Sequence, residues 1–331
     1  SDDANIVSVY TKNKKSEFMS YPYGAKVEIE DFTSQVGGGG VNTACNFANL
    51  GFSTGVIFKI GDDIYSDGIL ESFKNKNIDL TNIVQDSTVS TGFSIILVSF
   101  QGDRTVLAHR GANAQIKKSD INFEAIKGAK LLYIAPLNGN STKVLDDIVN
   151  FAKENNVKVC FNAGSSSLKK GFNYLKKILE NAHVVVLNKE EATMATQIQV
   201  RPDTKDEHFS EELIHPDIKE MFKKLKVKDY QVIVITDGNN GAYAYDGKSF
   251  YFCPVFNGPV TSTLGAGDAF ASTLCGALWK NGPDIGKALM YASVNSAGVV
   301  SKFGATQGLM KFEEIEQKLK ENPNYTYKKD S

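Results

Sequence analysis

The sequence is poor in the residues that announce metal, redox or membrane chemistry. Its four cysteines, Cys45, Cys160, Cys253 and Cys275, lie far apart. None forms a C-x-x-C pair, which excludes a local zinc site or a redox motif of that kind. They are expected as buried small hydrophobes in a reducing, cytoplasmic setting. There are only four histidines. Two of them, His208 and His215, sit in a polar stretch at 196–216 with two prolines. That stretch reads as an exposed insertion, and it has neither HxxxH spacing nor a nearby cysteine to make its histidines ligands. No run reaches the ~18 apolar residues of a membrane helix, and the first residues show no charged-then-apolar leader. Lys and Arg number 37 against 38 Asp and Glu, a net charge of -1. No field of one sign is available to draw in nucleic acid. Internal repeats and coiled-coil heptads are lacking too.

What the chain has is size and alternation. With 331 residues and 42% hydrophobic content it can bury the core of one large α/β domain or of two smaller ones. Short apolar runs at 55–60, 130–135, 157–161, 183–187 and 231–236 are mostly rich in β-branched residues and flanked by turn residues, so they read as buried strands. Helical patterns fall between or beside them at 42–50, 65–75, 142–155, 172–180 and 218–225. This rhythm predicts a mostly parallel sheet covered by helices on both faces. Two regions break it. Residues 5–36 hold no convincing helix, and 92–109 reads as two strands around the turn Gln101-Gly102-Asp103. Together they are expected to form a small β-lid.

Four segments carry chemistry. The first is Thr261-Ser-Thr-Leu-Gly-Ala-Gly-Asp-Ala-Phe270, leading into an apolar helix. Gly265, Ala266 and Gly267 let a ligand approach the backbone, and their amides would converge with the helix dipole on an anion. Asp268, on the first turn, is badly placed to bind phosphate and well placed to take a proton from an attacking hydroxyl. The plainer alternative is a first-turn acid beside packing glycines. The second segment, Gly37-Gly-Gly-Gly-Val-Asn-Thr-Ala44, is either a flexible linker or a ligand-contacting loop whose Gly38, Gly39 and Asn42 meet hydroxyl groups. It matches neither GxGxxG nor GxxxxGK[ST]. In the third, Asn188 ends an apolar strand and Glu191 opens a helix. The pair is either a helix cap or a support for water on Mg²⁺, at a strand end where ligands gather in open α/β sheets. The fourth, Thr236-Asp-Gly238-Asn-Asn-Gly241, is a hairpin turn or a contact to nucleotide phosphates.

Taken in order, these segments resemble the ribokinase/PfkB family of carbohydrate kinases over about residues 36–310. Gly38, Gly39, Asn42, Gly51 and Gly61 fit its N-terminal signature, and Gly265 to Asp268 its Gly-Ala-Gly-Asp signature. Asn188 and Glu191 fit its Asn-x-x-Glu motif. Thr236, Gly238 and Gly241 fit its Thr-x-Gly-x-x-Gly turn, and Gly111 to Asn113 a Gly-Ala-Asn piece. The resemblance implies a single ribokinase-like domain over 1–331: a three-layer α/β/α sandwich with a mostly parallel central sheet. A small β-sheet lid from about 5–36 and 92–110 is expected to serve for homodimers. It implies ATP as phosphoryl donor, Mg²⁺ reached by Glu191 through water, and Asp268 as general base. Gly265, Ala266 and Gly267 would form an anion hole, and Gly38, Gly39 and Asn42 would bind the acceptor. Asn188, Glu191, Thr236, Gly238, Gly241 and Asn295 would line the ATP site. The acceptor is expected to be a sugar. A nucleoside is the alternative, with Tyr23, Phe93 and Phe100 as a wall for its base, and a non-catalytic binding protein is a third reading. Three positions depart from the pattern. Only Asp2 or Asp3 is available for the family's early substrate-binding Asp. Ser262-Thr263 replaces Asp-Thr, which weakens the expectation of a monovalent cation nearby. Thr273 stands where Gly is common.

Overall fold

The computed structural model describes residues 5–11, 14–29, 31–98, 104–202 and 212–330. Asp2, Asp3, Phe100, the turn at 101–103 and residues 203–211 of the polar stretch lie outside them. In chain order the elements are β1 (Asn5–Thr11), β2 (Lys14–Ser20), α1 (Gly39–Asn49), β3 (Thr54–Ile60), α2 (Ile64–Ser72), β4 (Ile78–Gln85), β5 (Phe93–Val98) and β6 (Arg104–His109). There follow α3 (Phe123–Lys127), β7 (Leu131–Ile134), α4 (Leu145–Glu154), β8 (Lys158–Asn162), α5 (Ser165–Leu168), α6 (Phe172–Leu179), β9 (Val184–Asn188) and α7 (Lys189–Thr196). The last are α8 (Pro216–Leu225), β10 (Val232–Thr236), β11 (Ala242–Tyr245), β12 (Phe250–Cys253), α9 (Ala266–Asn281), α10 (Ile285–Val300), α11 (Phe312–Glu321) and β13 (Lys328–Asp330).

Strands β7, β8, β9 and β10 lie side by side and parallel, and β11, β12 and β13 extend the sheet antiparallel from β10. The alternation of a strand explains both covering layers. Val159 and Phe161, Val185 and Leu187, and Ile233 and Ile235 point into one core with α4, α6 and α8. Their neighbours Cys160, Val184, Val186 and Val234 point into the other, with α9, α10 and α11. Continuous apolar runs are what strands buried on both faces require. A third cluster of Val41, Ala44, Cys45, Val56 and Phe73 sits under the parallel pair β3–β4. All four cysteines are buried and free.

The chain divides into two units, Ser1–Gln35 with Gly92–Arg110, and Val36–Thr91 with Gly111–Ser331. The first holds two antiparallel hairpins, β1–β2 and β5–β6.

Boundaries differ from the sequence expectation where backbone chemistry overrides pattern. Helix α1 starts at Gly39, three residues ahead of Asn42, because Gly38 takes φ 102° as its cap and Gly39 and Gly40 continue as helix. Residues 139–144 form a 3-10 turn ahead of α4. Helix α8 starts at Pro216, with His215 capping the amide of Asp217. Gly61 is required by packing: a Cβ there would lie 2.5 Å from Val89 O and 2.6 Å from Thr91 N.

Candidate active site

The site is assembled in the larger unit at the start of α9. Gly265 takes φ 79°, and a Cβ on it would fall 2.5 Å from Ala305 O, so the position admits only glycine on two counts. Ala266 opens the helix with its own amide donating to Thr263 O at 3.4 Å, and the first-turn amides that follow have no intrahelical acceptor. A Cβ added at Gly267 would meet nothing within 4 Å. The first turn of α9 therefore offers amides beside open space, with the positive end of the dipole behind them.

Asp268 stands on that turn. Asn42, on α1, donates from Nδ2 to Asp268 Oδ2 at 2.7 Å. An added Cβ at Gly39 would sit 3.6 Å from Asp268 Oδ1 and 3.2 Å from Ala135 Cβ, so the glycine lets α1 close on the carboxylate. Asp268 is partly exposed at the helix mouth yet closely surrounded by protein. Burial pushes its carboxyl above the ordinary range, and the Asn42 hydrogen bond opposes that shift. Asn42 is itself 95% buried, since its relative exposure is 5%. Its Oδ1 has no hydrogen-bond partner among the described residues. A buried acceptor left open in this way calls for a donor from elsewhere.

Tyr133, which feels the Asp268 charge, and its partner Asn162 escaped the sequence reading. Tyr133, on β7, has its phenol held well above the usual range by burial first and by the charge of Asp268 next. Asn162, at the end of β8, donates to its hydroxyl at 3.3 Å. Neither sits in a glycine-rich or motif-like context, and only the pairing of β7 with β8 brings them together.

The ends of the parallel strands carry the remaining candidates. Thr236 pairs with Asn188 across β10 and β9. Asn188 and Glu191 form a reciprocal cap: Asn188 Oδ1 accepts from the Glu191 amide at 2.8 Å and Glu191 Oε2 from the Asn188 amide at 2.9 Å. Burial and then neighbouring Glu190 push the Glu191 carboxyl up, against the pull of that amide. Lys189 pairs with Asp237 at 2.6 Å, tying this cap to the glycine turn after β10. That turn joins antiparallel β10 and β11 through a 3-10 segment at Gly238–Asn240. Gly238 has φ 52° and open space around it, whereas a Cβ on Gly241 would strike Cys253 O at 2.4 Å.

Asn295 is a correction. It was expected to line the ATP site, but its residue is 0% exposed. Its amide donates to Asn46 Oδ1 at 2.9 Å and Thr273 Oγ1 at 2.8 Å, and its Oδ1 accepts from the Met310 amide at 2.8 Å. A side chain with its polar atoms engaged inside the core does not face a ligand.

The model of the pfkB family of carbohydrate kinases matches residues 4–311. The chain belongs to that family. As a pfkB carbohydrate kinase it is an ATP-binding phosphotransferase, and its fold is ribokinase-like. It is 28% identical to the 5-dehydro-2-deoxygluconokinase of Geobacillus thermodenitrificans, over 88% of this chain and 86% of that one. It is 28% identical to the ribokinase of Lactococcus lactis, over 90% of each. Among solved structures it resembles the Arabidopsis thaliana ribokinase complexed with ribose and ATP, with a TM-score of 0.69 and 17% identity over 94% of this chain and 91% of that one. No helix among the described residues is long and apolar enough to cross a membrane.

Proposed function

We propose that this pfkB kinase transfers the γ-phosphoryl group of ATP to a hydroxyl of a sugar or sugar acid, with Asp268 as general base. The observation that carries this reading is the Asn42–Asp268 pair: a buried amide that holds the carboxylate with one atom and leaves the other unpartnered. In this reading Asn42 Oδ1 accepts a hydrogen bond from one acceptor hydroxyl. Asp268 takes the proton of another as its oxygen attacks the γ-phosphorus, and ADP leaves. Gly38 and Gly39 supply backbone contact to the acceptor. The amides of Gly265, Ala266 and Gly267 stabilise charge on the phosphoryl oxygens, for which the empty space beside Gly267 leaves room.

For ATP, Asn188, Glu191, Thr236, Gly238 and Gly241 are the proposed contacts, at the carboxyl ends of the interior strands β9 and β10 and the turn that follows, tied together by Lys189–Asp237. Their donor set fits Mg²⁺ held chiefly by phosphate and water, with Glu191 acting through a water. Among the described residues no cluster of three acidic, His or Cys side chains could cage a metal. Mg²⁺ when bound supplies charge neutralisation on the phosphates. Asn295 is left out of the ATP contacts.

The relatives named above are kinases of 5-dehydro-2-deoxygluconate and of ribose, and these two head the panel of acceptors, with adenosine as the nucleoside comparison. Replacing Asp268 by Asn should lower kcat by ~10²–10⁴, the range of general-base catalysis, with ATP affinity little changed by calorimetry. Wild-type turnover in Asp268→Asn would reject the assignment.

A further inference from the structure

Beneath the Asn42–Asp268 pair the same two helices are joined a second time. Asn46 lies one turn after Asn42 on α1, and Ser272 one turn after Asp268 on α9, so the two contacts are rungs on one seam. Asn46 Nδ2 donates to Ser272 Oγ at 2.7 Å, to Thr273 Oγ1 at 2.8 Å and to Ala269 O at 3.3 Å. Ser272 Oγ in turn donates to the backbone O of Asp268 at 2.5 Å. Asn46 Oδ1 accepts from Asn295 of α10, which shares Thr273 Oγ1 and holds the amide of Met310. Asn46, Ser272, Thr273 and Asn295 are all 0% exposed.

A helix seam can be filled by apolar side chains, whose contacts are non-directional and tolerate sliding. A buried polar cluster is directional and fixes one arrangement, at the risk of stranding any member that loses its partner. Here the cluster joins α1, α9 and α10 one turn below the atoms proposed to react. The upper rung has to change when Asp268 takes up a proton and Asn42 meets a ligand. The lower rung meets Asp268 only at its backbone O, through Ser272, touches neither reacting side chain, and can stay in place.

We propose that Asn46, with Thr273 and Asn295, is a positioning device that holds α1 and α9 in the register at which Asp268 and Asn42 face a common acceptor. The inference rests on the proposed role of Asp268. It assigns Asn295 and Thr273 to the alignment of the site rather than to contact with ATP.

The test is steady-state kinetics of Asn46→Leu and Thr273→Val, two changes of similar shape that remove the donor and the shared acceptor. Rates are normalised to folded protein by thermal melting and circular dichroism. A misplacement of the order of 1 Å costs up to ~10²-fold in rate, so Asn46→Leu should lower kcat about tenfold or more. Thr273→Val, which keeps most of the cluster, should lower it about threefold. The KM for ATP should stay within about twofold in both, while the KM for the acceptor, which Asn42 is proposed to bind, rises alongside the fall in kcat. If Asn46→Leu does not fold, Thr273→Val decides. Folded variants with wild-type kcat, or with losses confined to KM, would overturn the proposal. Asp268→Asn is measured alongside. If it keeps full turnover, the reading of the site itself falls. If it is inactive while the seam variants are unaffected, only the positioning role falls.

Discussion

Asp268 is a carboxylate kept where charge is unwelcome. Its folded pKa is raised above the ordinary 3.8 by burial, so the folded chain holds that proton more tightly than the unfolded one. Stability from this group is therefore present below pH 3.8 and is lost as pH rises through the folded pKa. At neutral pH the ionised side chain works against the fold. Asp268→Asn should accordingly raise the melting temperature at pH 7 while removing activity, a trade expected at a functional site, and the gain should vanish in acid. A melting temperature that falls at pH 7 would contradict this. In catalysis the base must be ionised, so the acid limb of kcat/KM should lie above 3.8 and move further up in Asn42→Ala, which removes the one hydrogen bond that lowers it. The two glycines beside it should separate stability from chemistry. Gly265→Ala meets both a positive φ and Ala305 and should destabilise the fold by ~1–3 kcal/mol. Gly267→Ala meets no protein atom, so it should melt like the wild type and yet turn over poorly. Equal losses of stability in the two, by calorimetry, would remove the distinction.

At the scale of the element, sequence pattern reached far and stopped at identifiable places. The β-branched runs of β8, β9 and β10 were readable because burial on both faces leaves few polar interruptions. The start of α9 was readable because small residues followed by an acid and an apolar run mark a helix N-terminus. The start of α1 was not, since the poor helix propensity of Gly39 and Gly40 hid its first three residues behind the capping Gly38. Asn295 was misplaced because a polar residue on a helix looks alike whether it faces a ligand or the core. Tyr133 and Asn162 were invisible because only strand pairing makes them neighbours. Lys59 was equally unreadable: on β3, it is 4% exposed and paired with Asp86 at 2.8 Å and Asp120 at 3.2 Å. The hydrogen bond from Lys59 holds the Asp86 carboxyl well below its ordinary value. Such a depressed group stabilises the fold above its unfolded pKa of 3.8 and loses that contribution as pH falls through the folded value. Lys59→Met should lower the melting temperature clearly at pH 7 and by less at pH 3, where the Asp86 carboxylate it leaves behind approaches protonation. A loss that is equal at both pH values would argue that the lysine acts by packing alone.

For the whole molecule, the layered α/β architecture followed from strand and helix alternation, while the antiparallel extension β11–β13 did not. Its short strands Ala242–Tyr245 and Lys328–Asp330 are too brief or too polar to stand out. The small unit carries an assembly expectation. On β1–β2, Val7 and Phe18 are register partners beside Val9, and on β5–β6, Ile95 and Leu107 are register partners beside Phe93. All six are exposed. Isolated hairpins are marginal, and clustered apolar faces of this kind ask for a cover. The cover proposed here is a second copy of the chain, with the small unit as the expected lid. Sedimentation should then find a dimer, and Phe18→Asp with Ile95→Asp should yield monomers; a wild-type monomer at high protein concentration would end that idea.

The far margin of the central sheet tells against a different kind of assembly. Its outermost strand among the described residues, β13, reads Lys-Lys-Asp and is exposed. Charge of both signs on an outer edge discourages strand-by-strand growth into a neighbouring molecule. The kinase thus carries its own stop against fibril-like stacking on that side, and neutralising Lys328 and Lys329 would convert a sealed margin into an open one.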